Sequence, residues 1–143
     1  MVEKRAFRSA VIVWGIGVGV FQAFSPIALW WLDAIDVWGV ALALIASVYV
    51  GFAVADGRKT VILVEVAVAL AFVICATVAM ASFPWLIVIG LVGHGLKDLW
   101  QHRTQFVANT RWWPPFCLVV DVVAAALTAA LLLTGFDLHG LVR

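Results

Sequence analysis

The sequence predicts an all-α integral membrane protein, a bundle of five transmembrane helices with its N-terminus in the cytoplasm and its C-terminus outside. Three observations predict this. First, 66% of the 143 residues are hydrophobic and 12% are charged, with a mean hydropathy of +1.14. A soluble domain is closer to half apolar and a quarter charged, and a chain this short cannot hide so much apolar surface from water. Second, the apolar runs have the length of membrane spans, since a hydrocarbon core of about 30 Å takes about 20 helical residues. Third, basic residues collect on alternate connections between those runs.

The first helix is expected over about 9–31. Lys4, Arg5 and Arg8 precede it, as in a signal peptide. No small-x-small cleavage site follows and the run continues through Phe24 to Trp31, so a retained helix is expected. Pro26 is expected to kink this helix or split off a short interfacial piece. The second helix, 37–54, starts after Asp33 and Asp36, which cannot stay in hydrocarbon. The charged turn Ala55-Asp56-Gly57-Arg58-Lys59 leads to the third, 60–82. Ser82-Phe83-Pro84 offers a cap and an early proline for the fourth, 85–102, and Trp113-Pro114-Pro115 opens the fifth, 115–134. The whole chain, 1–143, is expected to be one domain, with no internal repeat. The absence of alternating polar residues excludes a transmembrane barrel.

Orientation follows from charge. With the N-terminus inside, Lys4, Arg5, Arg8, Arg58, Lys59, Arg103 and Arg111 fall on the cytoplasmic side, with Lys97 near it. Asp33, Asp36 and Asp137 fall outside, with Arg143 as the cation there. This is the positive-inside bias. Trp30, Trp31, Trp38 and Trp85 mark the outer interface, and Trp100, Trp112 and Trp113 the inner one. The net charge of +1 leaves no basic patch to track nucleic acid. Gly15, Gly17 and Gly19, with Gly90 and Gly93, allow close helix approach and point to packing within the bundle or to a homo-oligomer. The expected partners are therefore the lipid bilayer and further copies of the chain.

Ionisable groups within spans are costly and mark functional sites. His94, Asp98 and His102 recur at i, i+4 and i+8 on the fourth helix, which reads as one stripe. Glu65 on the third helix and Asp121 on the fifth each lie about 8–9 Å from the cytoplasmic ends of their helices, the level of His94. Cys117 precedes Asp121 by one turn. Imidazole and carboxylate are ligands of Zn, Fe and Mn, so Glu65, His94, Asp98, His102 and Asp121 are candidate ligands of a divalent transition metal, with Cys117 as an additional donor. His94 and His102 stand about 12 Å apart along the axis, which favours two ions bridged by Asp98 over one. Two further readings fit the same residues: a structural polar network, and a path for protons or ions.

The remaining motifs exclude more than they suggest. Cys75 and Cys117 form no CxxC pair and read as buried free thiols. Asp56-Gly57-Arg58 lacks the repeated aspartates of the alcohol phosphotransferases, and no P-loop, HExxH or GxSxG motif occurs. Gln22, Ser25 and Tyr49 are expected to make interhelical hydrogen bonds.

The segment Gly93-His94-x3-Asp98-x3-His102, followed by Cys117-x3-Asp121, resembles the core of an uncharacterised family of small bacterial multi-spanning membrane proteins. Members carry an H-x-x-W-D-x-x-H-H run, then a Cys and an Asp on the next helix. The likeness covers about thirty residues, Gly93 to Val123. Lys97 stands where the family has tryptophan, and Gln101 where it has the first paired histidine. The resemblance implies a shared site and a multi-pass protein of the bacterial inner (cytoplasmic) membrane; it implies no activity. The expected function is an intramembrane His/carboxylate site near the cytoplasmic face that binds a transition metal or small polar ligand, open to chemistry on a lipophilic substrate. The alternative is a small proton, ion or solute transporter, or a non-catalytic subunit of a membrane complex.

Overall fold

The computed structural model describes residues 2–108 and 110–135, with side chains from residue 9 onward. The charges of Lys4, Arg5, Arg8, Asp137 and Arg143, which carry part of the orientation argument, lie outside the described side chains, as does His139. Among the described residues the chain is all-helical: α1 (Val2–Ala28), α2 (Ala34–Asp56), α3 (Lys59–Ala81), α4 (Trp85–Thr104) and α5 (Trp113–Thr134). Each helix packs on the next, α5 returns to α1, and α4 also touches α2, so five helices close a ring.

The helix ends follow local chemistry. α1 runs through Pro26 and stops two residues later, at Ala28. Proline has no N–H to give to the carbonyl of Gln22. The Ser25 hydroxyl donates to that carbonyl instead, at 2.8 Å. Gly57, at φ +80°, ends α2 in the left-handed conformation that glycine adopts most easily, and its N–H donates to the Ala53 carbonyl. Gln105 ends α4 in the same conformation, at φ +51°.

Four helices are long and apolar enough to cross a membrane: Ser9–Ala28, Ala34–Asp56, Lys59–Ala81 and Trp113–Thr134. α4 has the length, but the polar residues His94, Lys97, Asp98, Gln101 and His102 crowd its second half and dilute its apolar character. The outer surface carries many large apolar side chains, unlike that of a water-soluble fold. Trp14, Phe21, Leu63 and Leu133 point outward and are each at least 69% exposed. Helix interfaces are built from small residues, among them Ala23, Ala46, Ala53, Ala76, Ala79 and Ala124. At Gly15 and Gly19, α1 lies directly on α5: a Cβ at Gly15 would stand 2.8 Å from the Val119 side chain, and one at Gly19 2.8 Å from the Val120 carbonyl. Gly17 faces away, with nothing within 4 Å.

The interior has two apolar clusters. One, around Trp38, Leu42, Ala76, Ile87, Leu91 and Ala124, fills the half of the bundle near the α1–α2 and α3–α4 connections. The other, Tyr49, Ala53, Val61 and Val107, closes the opposite end with Phe52, Phe106 and Trp113 packed around it. Along α4 and α5 the buried ionisable residues His94, Asp98 and Asp121 fall in the register between these clusters. They form a polar layer with apolar packing on either side.

Candidate functional site

α4 supplies the centre of this layer. An i, i+4 step turns a helix by about 400°, so His94 and Asp98 share its inner face with an offset of about 40°. Both are buried. Asp121 enters from α5, where Gly95 of α4 leaves room: a Cβ on Gly95 would stand 3.4 Å from the Asp121 Cβ. The His94 Nδ1 lies 2.8 Å from Asp121 Oδ2 and 3.4 Å from Asp98 Oδ2. One ligand atom from each of His94, Asp98 and Asp121 falls within 4.8 Å of the others. The structure thus joins three of the residues singled out in the sequence.

It separates the others. Glu65 reaches the same layer but is engaged with a lysine: Lys97 Nζ donates to its Oε2 at 2.7 Å. The same ammonium sits 3.0 Å from the centre of the Tyr49 ring, a cation–π contact that links this ion pair to the cluster. Cys117 is buried one turn before Asp121 and lies outside the three-residue group. His102 is exposed, off the inner face of α4, so the expected His94–Asp98–His102 stripe must be corrected. Two i+4 steps overshoot by about 80°, enough to carry the third side chain off the inner face. Seven residues overshoot by only about 20° in the other sense. Accordingly Gln101, not His102, takes the buried position. Among the described residues, a two-ion site bridging His94 and His102 through Asp98 has no second buried imidazole to use.

Two further residues complete the layer. Tyr49, the chain's only tyrosine, is fully buried on α2 and donates its hydroxyl to Asp98 Oδ1 at 2.5 Å. A lone tyrosine in an otherwise apolar span was the available signal, and interhelical hydrogen bonding was its expected role. Gln101 Nε2 donates to the Val107 carbonyl at 3.0 Å and to Thr110 Oγ1 at 3.2 Å. It thereby pins the α4–α5 loop across the end of the bundle. That loop is also held from outside. Ala108 N–H donates to Asp56 Oδ2 at 2.7 Å, and Arg58 bridges Asp56 to the Phe106 carbonyl at 2.6–2.7 Å. Val107, fully buried, is the plug beneath Tyr49.

The electrostatics of the layer are unbalanced. Three buried carboxyl groups, Glu65, Asp98 and Asp121, face one ammonium and one imidazole. With the carboxyls ionised, at least one negative charge has no counter-ion, a costly arrangement in a low-dielectric interior. Hydrogen bonding is incomplete at the same place: among the described residues, Asp98 Oδ2, Asp121 Oδ1 and His94 Nε2 are buried without a hydrogen-bond partner. Donors about 2.1 Å from one ion stand about 3.0–3.4 Å apart at octahedral to tetrahedral angles, close to two of the separations seen here. A cation between His94, Asp98 and Asp121 would answer the charge and give the unsatisfied Asp98 Oδ2 a partner. Tyr49 would then orient Asp98 from behind, as residues behind metal ligands commonly do.

No family model, no curated protein and no solved structure matches this chain.

Proposed function

We propose that this chain is a multi-pass protein of a cell membrane that holds one divalent transition-metal ion within its helix bundle, on His94 Nδ1, Asp98 and Asp121. The observation that carries the reading is the convergence of three buried ligand atoms within 4.8 Å, two of them on carboxylates with an unsatisfied oxygen. The membrane part rests on four helices of spanning length and composition and on large apolar side chains turned outward. In this reading α4 makes the fifth crossing: its buried polar residues His94, Asp98 and Gln101 face the ring's interior, where lipid does not reach them, and the exposed His102 lies in its last turn. The basic turn at Arg58 and Lys59, the last turn of α4 with Arg103 and the following loop with Arg111 lie in the cytoplasm, and the metal sits near that face. A nitrogen and two oxygens suit Zn, Fe or Mn. The resemblance of the Gly93–Val123 segment to the small bacterial family supports the same residues as a unit.

Protein purified without chelators should carry about one equivalent of metal by elemental analysis. His94→Ala and Asp121→Ala should each lose it while the protein still elutes as a folded species. A second reading is favoured by one specific feature, the unbroken chain of polar contacts from Tyr49 through Asp98 and His94 to Asp121. Such a chain can relay a proton. Metal-free protein that takes up protons in sealed vesicles, and stops doing so as Asp98→Asn, would establish the relay and reject the metal.

A further inference from the structure

Away from the polar layer, α1, α2 and α5 enclose a groove of about 320 Å³ that opens sideways. Trp38 Nε1 donates to the Ala23 carbonyl and draws α1 and α2 together at one end. Beyond that point the groove runs between them, walled by Val18, Phe21, Leu44, Val48, Phe116 and Val120. Its size is within the range of small-molecule sites. The lining is apolar except at Gln22 and Ser25 toward one end, the Cys117 thiol, and the unpartnered indole N–H of Trp113 at the other end. Gln22 is 7% exposed and lines the groove, and among the described residues no hydrogen bond reaches its side-chain amide; the Ser25 hydroxyl bonds the Gln22 backbone carbonyl. An amide at an apolar groove without a partner forgoes the free energy of a hydrogen bond. Packing needs no glutamine here, since neighbouring groove positions are filled by valine, leucine and phenylalanine.

We infer that the groove is a binding site for a single-chain lipid carrying an uncharged hydroxyl or carbonyl oxygen, with that oxygen hydrogen-bonded to Gln22. The shape is long and narrow. Gly15 and Gly19 of α1 face Val119 and Val120 of α5, so the two helices run in the same direction and the α5 wall continues the α1 wall. From the level of Ser25 to that of Trp113 the lining extends about 20 Å, enough for one extended chain. A phospholipid does not meet the requirement. Gln22 lies six residues inside the end of the Ser9–Ala28 span, about 9 Å below the edge of the hydrocarbon, whereas phospholipid esters stay at that edge. Only a slim head group on one chain brings an oxygen down to the amide. Cys117 separates the groove from the polar layer, since it lines the groove and precedes Asp121 by one helical turn. The site rests on the membrane reading and is independent of the metal.

The test uses the full chain in phosphatidylcholine nanodiscs and a diazirine analogue of hexadecanol, with the photolabelled residues mapped by mass spectrometry. Saturable labelling on the α1, α2 and α5 groove segments, displaced by unlabelled hexadecanol despite the excess of phospholipid, is the expected result. Gln22→Leu should weaken apparent affinity about tenfold, the worth of one hydrogen bond in an apolar setting. Ala41→Phe, which narrows the groove with Gln22 intact, should abolish the label. Labelling that never saturates and spreads equally to Leu63 and Ile74 on α3 overturns the proposal, as does affinity unchanged by Gln22→Leu. Disulfide-linked dimers of Val48→Cys that exclude the probe overturn it in favour of a second copy as occupant. If both variants misfold, displacement on the unmodified protein decides. Carbonate extraction of the source membranes tests the membrane reading separately: release of the chain refutes that reading, whereas retention with unsaturable labelling refutes the groove alone.

Discussion

Lys97 and Glu65 give the sharpest energetic test of the polar layer. The pair is close, at 2.7 Å, with the Glu65 side chain 1% exposed and that of Lys97 11% exposed. Water therefore screens it little, and the second Glu65 oxygen has no hydrogen-bond partner among the described residues. Replacing Lys97 by Met keeps the length of the side chain and removes the charge. It leaves Glu65 buried and unpaired and also removes the ammonium from the Tyr49 ring. Breaking one side of a buried pair costs about 3–5 kcal/mol, and a desolvated cation–π contact adds about 1–2 kcal/mol. Partner exchange in the unfolded, membrane-bound chain offsets part of this, so a loss of about 3 kcal/mol is expected. The paired change Lys97→Met with Glu65→Leu removes both charges together and should lie within about 1.5 kcal/mol of the original protein. The assay is unfolding in mixed micelles by titration with SDS, followed by circular dichroism, over the full double-mutant cycle. Strictly additive losses, or a single-mutant loss below about 1 kcal/mol, would show that the ammonium and carboxylate are not coupled as the structure has them.

Other consequences are testable in the same preparations. Tyr49→Phe removes the hydroxyl that orients Asp98 and should weaken metal binding about 10–100-fold, measured by chelator competition, with the fold retained. Asp56→Asn weakens the anchor of Ala108 and Arg58, so amide exchange across residues 106–108 should accelerate while that of the α2 interior does not change. Gly19→Leu drives a side chain into Val123 and the Val120 carbonyl and should destabilise the bundle by about 1–3 kcal/mol, whereas Gly17→Leu should be nearly neutral in the same SDS titration.

The helices were legible because membrane spans are read by length and composition, and these are local properties. Pro26 illustrates what composition misses. Whether it breaks α1 depends on the Ser25 hydroxyl, which takes over the abandoned carbonyl and lets the helix continue to Ala28. At the site, His94 with Asp98 was legible as an i, i+4 pair, and Asp121 by its depth in the next span. His102 was misread because 3.6 residues per turn does not divide evenly into steps of four, and the drift over two steps decides between interior and surface. Glu65 was placed at the right height, but its partner could not be read: Arg58 and Lys59 are nearer in sequence, while Lys97 arrives from α4 through tertiary packing. The roles of Gln101 and Val107 depend on how the α4–α5 loop folds back over the bundle, and a chain pattern does not encode that path.

Cobalt(II) titration of the purified, chelator-treated protein bears on the central claim most directly, because it reports both stoichiometry and coordination. One equivalent should produce saturable visible absorption typical of nitrogen and oxygen ligands, lost in His94→Ala, Asp98→Ala and Asp121→Ala and retained in His102→Ala. Absorption that depends on His102, or no saturable binding by a protein that remains folded, would contradict a metal centre on these three residues.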